Sequence, residues 1–164
     1  VFVFVSDHSH HRFLSYYEDR NVPLLIYAPG RIQPGIRSDI VSQLDVFPTV
    51  LGFIGKETYF TSFGRDLMKS EGGSAYFAYG NLFGWIQEPL FYVQSVEGGP
   101  GTVYTIHPPH ESEGPCNVVE ESLGSHCPTH YLKSRAFLNL SYFLLDQNRI
   151  FPSPEELKAI RQSP

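Results

Sequence analysis

The chain opens on five consecutive β-branched or aromatic apolar residues, Val1 to Val5, and runs at once into Ser6, Asp7 and His8. A run with no polar residue in alternation predicts a strand covered on both faces, the usual state of a central parallel strand in an α/β sheet. Ligands of open α/β sheets bind beyond the carboxyl ends of the strands, which puts Asp7 and His8 where a site is expected. A carboxylate oxygen beside an imidazole nitrogen suits a divalent cation such as zinc or manganese. The competing reading is local: Asp7 caps a turn and His8 is a solvated loop residue. With no initiator Met and no element ahead of a strand read as buried, the expectation is a piece of a longer protein.

The polar stretch from Ser9 to Asn21 reads as loop. His10 and His11 within it are candidate ligands or substrate contacts, although neighbouring side chains diverge on any regular backbone. A second apolar run, Val22 to Ala28, predicts a second buried strand, bounded by Pro29-Gly30 and with Pro23 at its first position or on an edge. Val41, Leu44, Phe47, Leu51 and Ile54 then recur in steps of three and four, the stripe of a helix packed on a sheet. Pro48 confines the regular helix to a start between Asp45 and Pro48 and Gly55 ends it. Asp45 reads as its N-cap, with a ligand role as the alternative.

The middle third changes character. Ser74 to Leu82, Leu90 to Val96 and Thr102 to Ile106 are short aromatic-rich runs between Gly- and Pro-containing turns, and they predict antiparallel strands or hairpins. Trp85 and the rings between Tyr76 and Tyr92 fit sheet packing better than a sugar-binding groove. From His107 to Thr129 the chain reads as loop. His107, His110, His126 and His130 lie in or beside it, together with the only cysteines, Cys116 and Cys127. His126 and His130 have a ligand-like spacing, but the paired C-x-x-C half of a zinc-finger pattern is missing. A disulfide between Cys116 and Cys127 accounts for the pair better, would remove roughly 2–3 kcal/mol of unfolded-state freedom and implies an oxidising compartment; two buried thiols are the alternative. Leu132, Ala136, Leu140, Phe143 and Leu144 predict a long helix ending near Gln147-Asn148. Ser153-Pro154-Glu155-Glu156 has the cap, the first-turn Pro and the Glu three residues on that open another.

Composition excludes some functions. With 164 residues, 41% of them hydrophobic, the chain can bury one ordinary core. A net charge of −5 with no Lys/Arg cluster argues against a nucleic-acid partner, which needs cations to displace phosphate counterions. No stretch approaches the roughly 18 apolar residues of a membrane span, so any anchor is expected upstream.

The strings VSDH at Val5 to His8, NVPLLIYAPG at Asn21 to Gly30, SQLDVFPTVLGFIG at Ser42 to Gly55 and YFTSFGRDLM at Tyr59 to Met68 occur here in one order. Together they resemble the C-terminal part of the sulfatase-like catalytic domain of lipoteichoic acid synthase and phosphoglycerol transferase proteins, within the alkaline phosphatase superfamily. The resemblance covers roughly the first 95 residues and, weakly, the helix around Ala136 to Arg149. It implies part of an α/β/α sandwich, a mostly parallel sheet followed by a small antiparallel sheet and C-terminal helices. The divisions would be residues 1–70 for the α/β core, 71–110 for the antiparallel strands and 111–164 for the Cys-containing loop and helices.

The same resemblance implies a metal-dependent phosphoryl or sulfuryl transferase or hydrolase, most nearly a phosphoglycerol transferase. Asp7 and His8 would hold one divalent metal, Mn or Zn, with Mg or Ca also compatible. The Thr or Ser nucleophile and the other ligands are expected upstream, leaving this segment inactive alone; Ser6, Ser9 and Thr49 are not promoted to that role. The implied substrate is a phosphate or sulfate ester on a phospholipid or glycan, at the outer face of the bacterial cytoplasmic membrane. A sulfatase or phosphodiesterase, or a non-catalytic module binding glycan or protein, are the rival functions. Ser9 stands where the family often carries Gly or Thr, and the Cys116–Cys127 segment has no counterpart in it.

Overall fold

The computed structural model describes residues 1–9, 20–106, 112–116 and 127–162, with the side chains of 112–116 and 127–128 outside the description. Among them, a two-stranded sheet and a five-stranded antiparallel sheet are joined by helical segments, giving the mixed α/β architecture with C-terminal helices. No helix among the described residues is long and apolar enough to cross a membrane.

Strands β1 (Phe2–Val5) and β2 (Leu24–Tyr27) pair antiparallel, Phe2 opposite Tyr27 and Val5 opposite Leu24. This corrects the expectation of a parallel strand buried on both faces. Opposed residues share a face, and the face of Phe2, Phe4, Leu25 and Tyr27 is open, with Phe2 63% and Phe4 57% exposed. Val3, Leu24 and Ile26, on the other face, are half-buried. A continuous apolar run states that either face tolerates burial, but it carries no information on strand direction or on what covers each face. Pro23 immediately precedes β2, where its missing N–H costs no ladder bond.

Beyond β2, Arg31 and Ile32 N–H groups both donate to the Ala28 carbonyl, closing a turn with Gly30 at φ 76°. A 3-10 helix, Gln43–Asp45, leads directly into α1 (Val46–Ile54), which ends on Gly55 at φ 70°, a left-handed cap that glycine adopts without a Cβ penalty. The cap expectation for Asp45 changes. Its side chain makes no cap bond to α1; it belongs to the preceding 3-10 helix, where Ser42 is the N-cap and Asp45 reaches back to the Ser42 N–H at 2.9 Å. Thr49 is buried in α1, its hydroxyl donating to the Asp45 carbonyl at 2.6 Å and accepting from the Leu67 N–H at 3.0 Å. Both bonds are scaffold contacts.

The larger sheet is a meander of β3 (Ala75–Tyr79), β4 (Leu82–Gln87), β5 (Leu90–Ser95), β6 (Gly101–Thr105) and β7 (Ser112–Cys116). The run Ser74 to Leu82 takes the hairpin form: Gly80, at φ 58°, and Asn81 turn the chain between β3 and β4. Strand β7 lies in the stretch expected to be loop. Phe83 and Tyr92 are fully buried, Phe91 and Leu90 nearly so, and Trp85 is buried as well, so these rings form the core rather than a binding groove.

Helix α2 (Cys127–Asp146) starts before the predicted stripe and lies over β4 and β5. Phe137 is its anchor, with ring centroids 4.8 Å from Phe63, 5.0 Å from Trp85 and 5.5 Å from Tyr76. Such ring contacts add to area burial by about 0.5–1.5 kcal/mol each. Lys133 Nζ donates to Gln87 Oε1 at 2.7 Å at the same interface. In α3 (Pro154–Gln162) the predicted capping box is present: the Glu156 N–H donates to Ser153 Oγ at 3.2 Å and the Ser153 N–H to Glu156 Oε2 at 2.9 Å.

Candidate functional site

Residues 6–9 turn out of the carboxyl end of β1, and the turn sets two side chains against each other. The Asp7 carboxylate accepts the His8 N–H through Oδ1 at 2.9 Å, which orients its second oxygen, Oδ2, to 3.5 Å from His8 Nε2. On the far side of the ring, His8 Nδ1 is 3.0 Å from the Ser9 carbonyl oxygen. A carbonyl can only accept, so Nδ1 carries a proton in that contact, and Nε2 is the ring nitrogen that faces the carboxylate. Both side chains are open to solvent, His8 67% and Asp7 88% exposed, so their mutual Coulomb attraction is small in water.

What this pair offers is a carboxylate oxygen and an imidazole nitrogen on one side of a turn. Two ligands of one tetrahedral zinc, at bond lengths of about 2.0–2.1 Å, stand about 3.4 Å apart, close to the observed separation. A backbone carbonyl accepting the proton of the remote ring nitrogen is the usual support of a ligating histidine. The donor set fits a divalent cation. Among the described residues no group of three or more His, Cys, Asp or Glu gathers to complete such a site.

The turn is tied to the 3-10 helix. Gln43 Nε2 donates to the Ser6 carbonyl at 2.5 Å and lies 3.4 Å from the Asp7 carbonyl. The 3-10 helix is fixed in turn by Asp45, which is 1% exposed and accepts from the Ser42 and Arg65 N–H groups and from the Arg65 guanidinium, Nη2 to Oδ2 at 3.1 Å. Every lone-pair direction of that carboxylate is used, which removes Asp45 as a ligand. Sequence reasoning missed both Gln43 and Arg65. Both stand inside the quoted strings, but each acts through a partner more than fifteen residues away, so their roles could not be read from local spacing.

Asp7 and His8 are thus brought together. His10, His11, His107, His110 and His126 lie outside the described residues. His130 is buried in α2. Cys116 ends β7 opposite Gly101 and Cys127 opens α2, while their side chains, and with them the expected disulfide, lie outside the described residues.

The sulfatase family model matches residues 1–56, the segment that carries β1, β2, the 3-10 helix and α1, and with them Asp7, His8, Gln43 and Asp45. The match supports the alkaline-phosphatase-like sulfatase family for that segment. No curated protein and no solved structure gives a match.

Proposed function

We propose that Asp7 and His8 are two ligands of a divalent metal, Mn or Zn, in a sulfatase-superfamily ester hydrolase or transferase. The observation that carries this reading is the Asp7 Oδ2 to His8 Nε2 separation of 3.5 Å, with Nδ1 engaged by Ser9, inside the segment matched by the sulfatase family. A metal held there would neutralise charge on the transferred group and activate an attacking oxygen. Asp7 contributes the negative charge that favours a cation, and the Ser9 carbonyl holds His8 in the ligating tautomer. Thr49 is not the nucleophile in this reading, since it is buried and its hydroxyl is taken up by the Asp45 carbonyl and the Leu67 N–H.

Within the superfamily the reading favours phosphoglycerol-type transfer on a phospholipid- or glycan-linked phosphate ester at the outer face of a bacterial cytoplasmic membrane. It is supported by the four ordered strings between Val5 and Met68. The test is turnover of a nitrophenyl phosphodiester and of nitrophenyl sulfate by the protein as it occurs in its host, with Mn or Zn titrated after chelation. Metal-dependent cleavage of the phosphodiester is expected. Cleavage of the sulfate ester alone would make the protein a sulfatase, and turnover of neither ester at any metal concentration would overturn the enzymatic reading.

A further inference from the structure

We infer that Gln43 is a positioning residue that fixes the Asp7–His8 turn by holding the two peptide carbonyls that flank Asp7. Its consequence for a metal rests on the proposed site. The Ser6 carbonyl belongs to the peptide entering Asp7 and the Asp7 carbonyl to the peptide leaving it. One amide NH2 has two hydrogens, so a single Gln43 side chain can engage both oxygens. Two fixed peptide planes leave the Asp7 backbone little freedom in φ and ψ, and that sets where the carboxylate points. The His8 N–H to Oδ1 bond, which turns Oδ2 toward Nε2, depends on the same backbone.

Gln43 can do this because its own backbone is anchored. The 3-10 helix that bears it is closed at one end by Ser42, whose Oγ accepts the Leu44 N–H, and at the other by buried Asp45 clasped by Arg65. Gly64 adds to the restraint: a Cβ there would come within 1.8 Å of the Leu44 carbonyl, so only glycine lets segment 63–65 approach the 3-10 helix this closely. The side chain of Gln43 itself is exposed and packs into no core, which makes its hydrogen bonds its visible structural task.

Gln43→Met keeps the length and removes the donor. In the host-length protein it is expected to weaken Zn²⁺ affinity by about 10–100-fold, the usual effect of losing a group that supports a metal ligand. In chelator, its His8 amide is expected to exchange with solvent faster, while the unfolding midpoint stays near the parent value. Unchanged affinity in Gln43→Met beside lost affinity in Asp7→Ala overturns the inference. If Asp7→Ala binds Zn²⁺ like the parent, the metal-site reading fails instead. The exchange rate then decides alone: faster His8 exchange in Gln43→Met upholds the positioning role, and an unchanged rate overturns it.

Discussion

Arg65 clasps the buried carboxylate of Asp45, Nη2 to Oδ2 at 3.1 Å and Nε to Oδ1 at 3.3 Å, while its other contact, to the Ser74 carbonyl at 2.8 Å, reaches the start of the larger sheet. One guanidinium therefore joins the segment that bears the site to the segment that bears the core. The planar fork is what allows it: three acceptors in two directions suit Arg and not the point charge of Lys.

Removing one partner leaves the other charge poorly compensated. Arg65→Met is expected to destabilise the fold by about 3 kcal/mol, since Asp45 would keep only the backbone donors of residues 42 and 65. The double change Asp45→Asn with Arg65→Met should cost less than the sum of the single ones, because it leaves no buried charge at all. Denaturant unfolding of the three variants measures the coupling. Strict additivity would mean that the pair contributes nothing as a pair.

Tyr92 sets a limit at high pH. It is fully buried, and burial pushes its phenol up to about 12, with Tyr131 adding to the rise and Arg135 opposing it. The folded value lies above the ordinary value near 10, so the folded state holds the proton more tightly than the unfolded chain does. The stabilisation is complete below pH 10 and is lost as pH rises from there toward 12, by an amount of roughly 2 kcal/mol. Unfolding followed from pH 9 to pH 12 should show the fall. Tyr92→Phe should flatten it, keeping the ring and losing only the bond to Gln94 Oε1 at 3.0 Å.

The cysteine pair is a matter for chemistry. If Cys116 and Cys127 are joined, protein made in an oxidising compartment should be lighter by two hydrogens and closed to alkylation until reduced. Full labelling of both thiols without reductant would return them to ordinary free side chains and would remove the main sequence-level support for an extracytoplasmic location.

What the sequence shows plainly is whatever is local. The Ser153 to Glu156 box and the Gly55 stop are decided within one helical turn, and both stand where the residues place them. The burial of Trp85, Phe83 and Tyr92 follows from ring size. Less visible is what one segment imposes on another. Strand β7 is Ser-Glu-Gly-Pro-Cys, a poor strand by propensity, and it is strand because β6 offers it an edge. The β1 run could not state its own direction, because apolar residues suit either pairing. At the candidate site the same division holds: the Asp7–His8 pair is adjacent in the chain and visible there, whereas Gln43 meets that turn only across the fold.

Asp7 and His8 offer the sharpest test of the proposed site. If both are metal ligands, Asp7→Ala or His8→Ala in the host-length protein should abolish metal-dependent turnover, a loss of several kcal/mol in transition-state stabilisation. Stability in chelator should change little, because both side chains are mostly exposed and removing either leaves no buried group unpaired. A turn-closing Asp7 makes the opposite prediction: about 1 kcal/mol of stability lost and activity kept. The geometry bears on that alternative: the Asp7 carboxylate accepts from the adjacent, exposed His8 N–H at 2.9 Å. Unfolding in chelator measured beside turnover in excess Mn²⁺ or Zn²⁺ separates the two, and normal turnover in both variants would end the metal-site reading.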